Sequence, residues 1–167
     1  SQTSNDFDGR DLHALWGLDE DNLLAVGNQG TILKYKPGNE NWDLTEVKGP
    51  FNKQLDLHAV AGSSNVTGTA VGIHAAGEDA GFLALDGNDW VDASGEVQSD
   101  LHALWITEDV ACVAGDGGLI FRRRSSGWTG EFTGTNADLH GLWGTEESPW
   151  AVGWLLYTSD AADDALR

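Results

Sequence analysis

Apolar residues fall in short runs of about four to six along the chain, each bounded by Gly, Asn, Asp or Ser. Runs this short, with such boundaries, predict strands and not helices. In the segment Leu12–Trp16, Leu12, Ala14 and Trp16 alternate with His13 and Leu15, so both sides of the predicted strand are semi-apolar. A sheet built from such strands must be covered on both faces. Asn28-Gln29-Gly30 and Asp116-Gly117-Gly118 supply the positive-φ residues that tight hairpins need. Pro37-Gly38-Asn39, Asp86-Gly87-Asn88 and Ser126-Gly127 do the same before a further strand.

The pattern repeats. Asp11-Leu12-His13-Ala14-Leu15-Trp16-Gly17 returns as Asp56-Leu57-His58-Ala59-Val60-Ala61-Gly62, as Asp100-Leu101-His102-Ala103-Leu104-Trp105 and as Asp138-Leu139-His140-Gly141-Leu142-Trp143-Gly144. The aspartates are 45, 44 and 38 residues apart. A second marker follows each: Ala25-Val26-Gly27, Ala70-Val71-Gly72, Val113-Ala114-Gly115 and Ala151-Val152-Gly153. Then come Gly30-Thr31-Ile32-Leu33, Gly81-Phe82-Leu83 and Gly118-Leu119-Ile120-Phe121, and finally Trp42, Trp90 and Trp128. Four markers in constant order over about 40 to 45 residues predict four antiparallel strands, A to D, the size of a propeller blade.

The expected fold is therefore all-β: a partial β-propeller of four-stranded antiparallel blades, three complete plus parts of two. Its predicted divisions are 1–10, the end of a truncated blade; 11–55, 56–99 and 100–137, full blades; and 138–153, the start of another. Residues 155–163 resemble the translation of a transposon-based sequencing adapter, which implies that 154–167 is a non-native tail. The sequence has no methionine and no signal-peptide pattern at Ser1, so the native start, with any targeting segment, is expected upstream.

Composition changes this picture little. A formal charge of −18 opposes binding to nucleic acid or to an anionic membrane, because phosphate would be repelled. No apolar run approaches the roughly 20 residues that span a bilayer. With Cys112 the sole cysteine, there is no internal disulfide framework.

With its Leu-His-Ala-Leu-Trp-Gly, Ala-Val-Gly, Gly-x-Ile and late Trp markers, the chain over residues 3–153 resembles bacterial propellers of the sialidase-like (BNR), photosystem-assembly-factor and YVTN-like superfamily. The resemblance implies a fold more than an activity. The Asp-box turn of sialidases is absent: the corresponding turns read Lys36-Pro37-Gly38 and Ser125-Ser126-Gly127. Nor does the sequence scatter three arginines to grip a carboxylate sugar, having only Arg10, Arg122-Arg123-Arg124 and Arg167.

The repeated His13, His58, His102 and His140 would ring the axis. A histidine present in every blade is expected to pack between blades with one ring nitrogen bonded, and to stand too far from its neighbours to share a metal. Cys112 is expected to be a small buried residue, and Asp19-Glu20-Asp21-Asn22 a solvated acidic turn. Arg122-Arg123-Arg124 are expected to be charges that protect an outer strand from mispairing.

Departures from the repeat point elsewhere. Gly72 to Gly81 spans nine residues where Gly27 to Gly30 spans three, which reads as a six-residue insertion between strands B and C of the second unit. The stretch Trp42 to Asp56 is four residues longer than its counterparts. B–C and D–A connections emerge on one face of the disc, so these differences outline a candidate recognition patch of Phe51, Lys53, His74, Glu78 and Asp79. The expected function is a non-catalytic binding or scaffold module from an exported bacterial protein, recognising a protein or glycan, with no cofactor, catalytic residue or metal ligand assigned. The alternative is a propeller hydrolase or lyase whose site lies in blades outside this sequence.

Overall fold

The structure, a computed structural model, describes residues 9–39, 41–48, 54–64, 70–107, 110–145, 148–153 and 156–158. The first sheet comprises β1 (Leu12–Gly17), β2 (Leu23–Gly27), β3 (Thr31–Lys36) and β4 (Asn41–Glu46). The second holds β5 (Leu57–Ser64), β6 (Ala70–Gly77), β7 (Phe82–Asp86) and β8 (Asp89–Asp92). The third holds β9 (Leu101–Ile106), β10 (Ala111–Gly115), β11 (Leu119–Arg124) and β12 (Gly127–Phe132). The fourth has three strands, β13 (Leu139–Gly144), β14 (Pro149–Gly153) and β15 (Leu156–Thr158). Strands follow one another in sequence order, each antiparallel to the next, and no α-helix occurs among the described residues.

Consecutive sheets meet through their first strands, β1 against β5, β5 against β9 and β9 against β13. The protein is thus all-β, an open segment of a propeller with strands A innermost. The blade end expected in residues 1–10 lies outside the described residues except for Gly9 and Arg10. β15 falls beyond the last repeat marker, yet pairs Trp150 with Thr158 and Val152 with Leu156. Backbone pairing reads strand edges and not sequence, so an extended segment of any origin can add there.

Every apolar cluster lies between two sheets. Leu24, Val26 and Ile32 of the first sheet meet Leu57, Val60, Ala75 and Leu83 of the second. Ala76 and Phe82 of the second meet Leu101 and Val113 of the third, and Ala103, Ala114 and Ile120 of the third meet Leu139 and Ala151 of the fourth. Adjacent residues Ala75 and Ala76 serve opposite neighbours, as the period of two demands. Each blade therefore has a face toward the preceding blade and a face toward the next, which is why a single unit cannot fold its apolar surface away alone.

Two repeated residue types hold this arrangement. The glycine ending each strand B faces the carbonyl oxygen of the motif aspartate. A Cβ would lie 1.9 Å from Asp11 O at Gly27, 2.1 Å from Asp56 O at Gly77, 1.7 Å from Asp100 O at Gly115 and 2.1 Å from Asp138 O at Gly153. Only glycine allows that approach. The aspartate carboxylate reaches the other way, to the B–C turn of the preceding blade. Asp56 Oδ1 accepts from Gln29 N (2.8 Å), Asp100 Oδ1 from Asp79 N (2.8 Å) and Asp138 Oδ1 from Gly117 N (3.0 Å). The turns need such an anchor, because Gln29 and Asp79 hold φ at 57° and 51°, a region disfavoured for residues with a Cβ.

The second unit corrects one expectation. Strand B there ends at Gly77 and not at Gly72: Leu57 pairs with Gly77, Ala59 with Ala76 and Val60 with Ala75. Ala75-Ala76-Gly77 is the counterpart of Ala25-Val26-Gly27, whereas Val71 pairs with Ser63 farther out. The extra length thus belongs to the A–B hairpin, whose strands β5 and β6 each run eight residues. The B–C turn is only one residue longer than in the first unit. The hairpin leans on its neighbour at Gly62, where a Cβ would stand 2.8 Å from Trp16 Cζ2.

Candidate functional site

The four motif histidines form a polar array along the first strands of the four sheets. Each is the extra residue of a β-bulge. Leu12 and Ala14 oppose the adjacent Gly27 and Val26, leaving His13 unpaired, and the same shift isolates His58, His102 and His140. A bulge re-aims its side chain and sharpens the local twist. Here it brings the rings into file along strands A: centroids are 5.4 Å apart for His13–His58, 5.3 Å for His58–His102 and 4.9 Å for His102–His140.

At the centre of the file the rings meet edge to edge. His58 Nδ1 and His102 Nδ1 are 3.2 Å apart, close to the shortest separation that a 5.3 Å centroid distance permits. Proton placement follows from the partners. Leu101 O, 3.2 Å from His58 Nδ1, can only accept, so His58 carries its proton on Nδ1. His102 Nδ1 must then accept, which puts its proton on Nε2, where it donates to Asp116 Oδ1 at 2.7 Å. With these tautomers no donor faces a donor, and the one Nδ1–H of His58 is shared between Leu101 O and His102 Nδ1. Packing between blades with bonded ring nitrogens agrees with expectation for His58 and His102, but the separation does not. The innermost strands converge, so these nitrogens lie much closer than blade spacing alone suggests. No group of three or more His, Cys, Asp or Glu among the described residues is placed to hold a metal.

The structure describes the predicted recognition patch only in part. Phe51 and Lys53 lie outside the described residues. His74 is no loop residue: it sits within β6, paired with Ala61 and Ala84, and its ring packs on Phe82 at 4.8 Å. Phe82 in turn meets Trp128 edge-on at 4.9 Å, so His74 belongs to the packing between the second and third blades. Glu78 and Asp79 are exposed in the B–C turn, their amides bonded to Asp56 O (3.0 Å) and Asp100 Oδ1 (2.8 Å). The D–A connection does approach the neighbouring B–C turn, with Gly30 N donating to Leu55 O (2.5 Å) and Gln54 Nε2 lying 3.5 Å from Gln29 O. These two connections share a face, while the long A–B hairpin of the second blade projects from the other.

The remaining candidates have structural partners. Asp19 Oδ1 accepts from Asp21 N (3.0 Å) and Asn22 Nδ2 (2.7 Å), closing its exposed turn on itself. Cys112 is buried, and desolvation raises its thiol pKa despite the nearby Arg122 guanidinium. Arg122 departs from the expected role of a charge protecting an outer strand. It is buried opposite Cys112, with Nη2 3.6 Å from Glu131 Oε2, while Arg123 lies over Trp128 and Arg124 is exposed.

The fold and its repeated contacts define a propeller-type repeat protein. No protein-family model matches the chain, and no curated protein matches it significantly.

Proposed function

We propose that this propeller segment is a non-catalytic binding or scaffold module of an exported bacterial protein, recognising a protein or glycan through the face that carries its B–C and D–A connections. The observation that carries this reading is the use made of the repeated polar residues. Asp56, Asp100 and Asp138 cap turns of preceding blades, and His58 and His102 satisfy each other and their neighbours. The repeated chemistry joins each blade to the next, and the differences between blades are left to the connections, where recognition is tolerated. The motif resemblance to sialidase-like and related propellers supports the same reading at the level of fold. Within the patch, Phe51, Lys53, Glu78 and Asp79 remain its contact residues, and His74 is reassigned to packing.

A glycan array and a crosslinking capture with the 167-residue protein test this reading. Bound sugar should be recovered unchanged in mass, and Phe51→Ala with Lys53→Ala should weaken capture about tenfold or more. Release of cleaved or unsaturated sugar contradicts the module and favours a hydrolase or lyase. Loss of capture on changes confined to the A–B hairpin of the second blade would move the site to the opposite face.

A further inference from the structure

The contact between His58 and His102 lies inside the molecule, on the seam between the second and third blades, and both residues are half-buried. Their outer neighbours in the file, His13 and His140, are exposed. Asp116, in the turn after β10, accepts from His102 Nε2 at 2.7 Å and is the one carboxylate bonded to the pair among the described residues. Asp56, Asp100 and Asp138 each stand two residues before a ring of the file, and they commit Oδ1 to the amides of Gln29, Asp79 and Gly117. Glu78, at the head of the second blade's B–C turn, is exposed. Among the described residues, arginine and lysine make their ion pairs elsewhere: Arg10 with Glu46, Lys36 with Asp43 and Arg122 with Glu131.

We infer that this contact is an acid-sensitive fastener between the two blades, one that keeps its hydrogen bond through a first protonation and loses it on a second. In the neutral pair, one proton lies between the two Nδ1 atoms and one sits on His102 Nε2. The open lone pair is then on His58 Nε2, so a first added proton goes there and leaves the Nδ1–H···Nδ1 bond in place. The only ring nitrogen left for a second proton is His102 Nδ1, which accepts that bond. Both Nδ1 atoms would then carry hydrogen at 3.2 Å, donor against donor, and two positive rings would stand 5.3 Å apart, centre to centre. The Asp116 carboxylate offsets one of these charges, not both. Histidine changes charge between about pH 8 and pH 5, so His13 and His140 only add like charge, from 5.4 Å and 4.9 Å along the file. The seam between the second and third blades should therefore loosen in mild acid, a range in which carboxylates ordinarily remain ionised.

The test is amide hydrogen exchange of the whole chain at about pH 7 and about pH 5, each rate taken relative to an unstructured amide at the same pH. The Asp79 amide reports this seam, because it bonds Asp100 across it, and the Gln29 amide reports the seam between the first and second blades. On acidification, Asp79 should lose about tenfold more protection than Gln29. In His102→Asn, a side-chain carbonyl that takes no proton in this range can accept from His58 Nδ1, and the two amides should then fall by the same factor. Imidazole nitrogen chemical shifts of the parent give a measurement that needs no variant. At neutral pH, His58 should carry its hydrogen on Nδ1 and His102 on Nε2, and proton uptake at His102 Nδ1 in acid should coincide with the loss of Asp79 protection. Equal loss at both amides in the parent overturns the inference, as does a difference that survives in His102→Asn. So does uptake at His102 Nδ1 with Asp79 protection intact.

Discussion

Leu101 and Leu12 occupy the same position in the same motif, and their surroundings are opposite: one is fully buried between blades, the other half in solvent at the open end. The pair teaches that this fold keeps two kinds of contact apart. Contacts within a blade, such as strand-B glycine against motif carbonyl, are equally tight in every unit. Contacts between blades, apolar and carboxylate alike, exist only where a neighbour stands. Stability in such an array is a sum of unit and nearest-neighbour contributions, and substitution should separate them.

The largest effects should ignore position. Gly27→Ala and Gly115→Ala each force a Cβ into a carbonyl within their own blade, and each should cost about 4 kcal/mol in urea unfolding. A clear difference between the two would break the distinction. Next, Leu101→Ala should cost about 3 kcal/mol through lost burial and a cavity, while Leu12→Ala should stay within about 0.5 kcal/mol. Smaller again, Asp100→Ala should cost about 1–2 kcal/mol because it leaves the Asp79 turn uncapped, and Asp11→Ala almost nothing.

The smallest effect concerns pH at one interface. Burial raises the Cys112 thiol, so the unfolded chain loses that proton first as pH rises. Its contribution is fully present below the ordinary thiol range and fades as pH climbs through it toward the folded value. Cys112→Ala should flatten that alkaline decline in thermal unfolding. An unchanged alkaline limb would assign the decline to other groups.

The repeat made the blades legible because its markers answer local needs: turn glycines, alternating apolar positions and a motif aspartate. The second strand B was misplaced because Ala70-Val71-Gly72 duplicates the expected triplet five residues before Ala75-Ala76-Gly77. The choice between them depends on which glycine meets the Asp56 carbonyl, a contact made across the sheet. The short step from Gly77 to Gly81, close to that from Gly27 to Gly30, was the available clue. The same displacement moved His74 out of a supposed loop and into packing. The histidine file could be placed near the axis, but its spacing could not, because bulges and the convergence of strands A set the distance between rings. Nor did the sequence distinguish Arg122 from its neighbours. Alternation along β11 turns it inward opposite Cys112, and that requires the strand's register.

The most direct test of the account is amide hydrogen exchange in Asp100→Ala. This substitution removes the carboxylate that accepts from Asp79 N in the preceding blade, but keeps the carbonyl that accepts from Asp116 N in its own. The Asp79 amide should exchange about tenfold faster, with the Asp116 amide unchanged. Unaltered Asp79 exchange, or equal loss at both amides, would contradict a fold whose neighbouring blades are joined by that side chain.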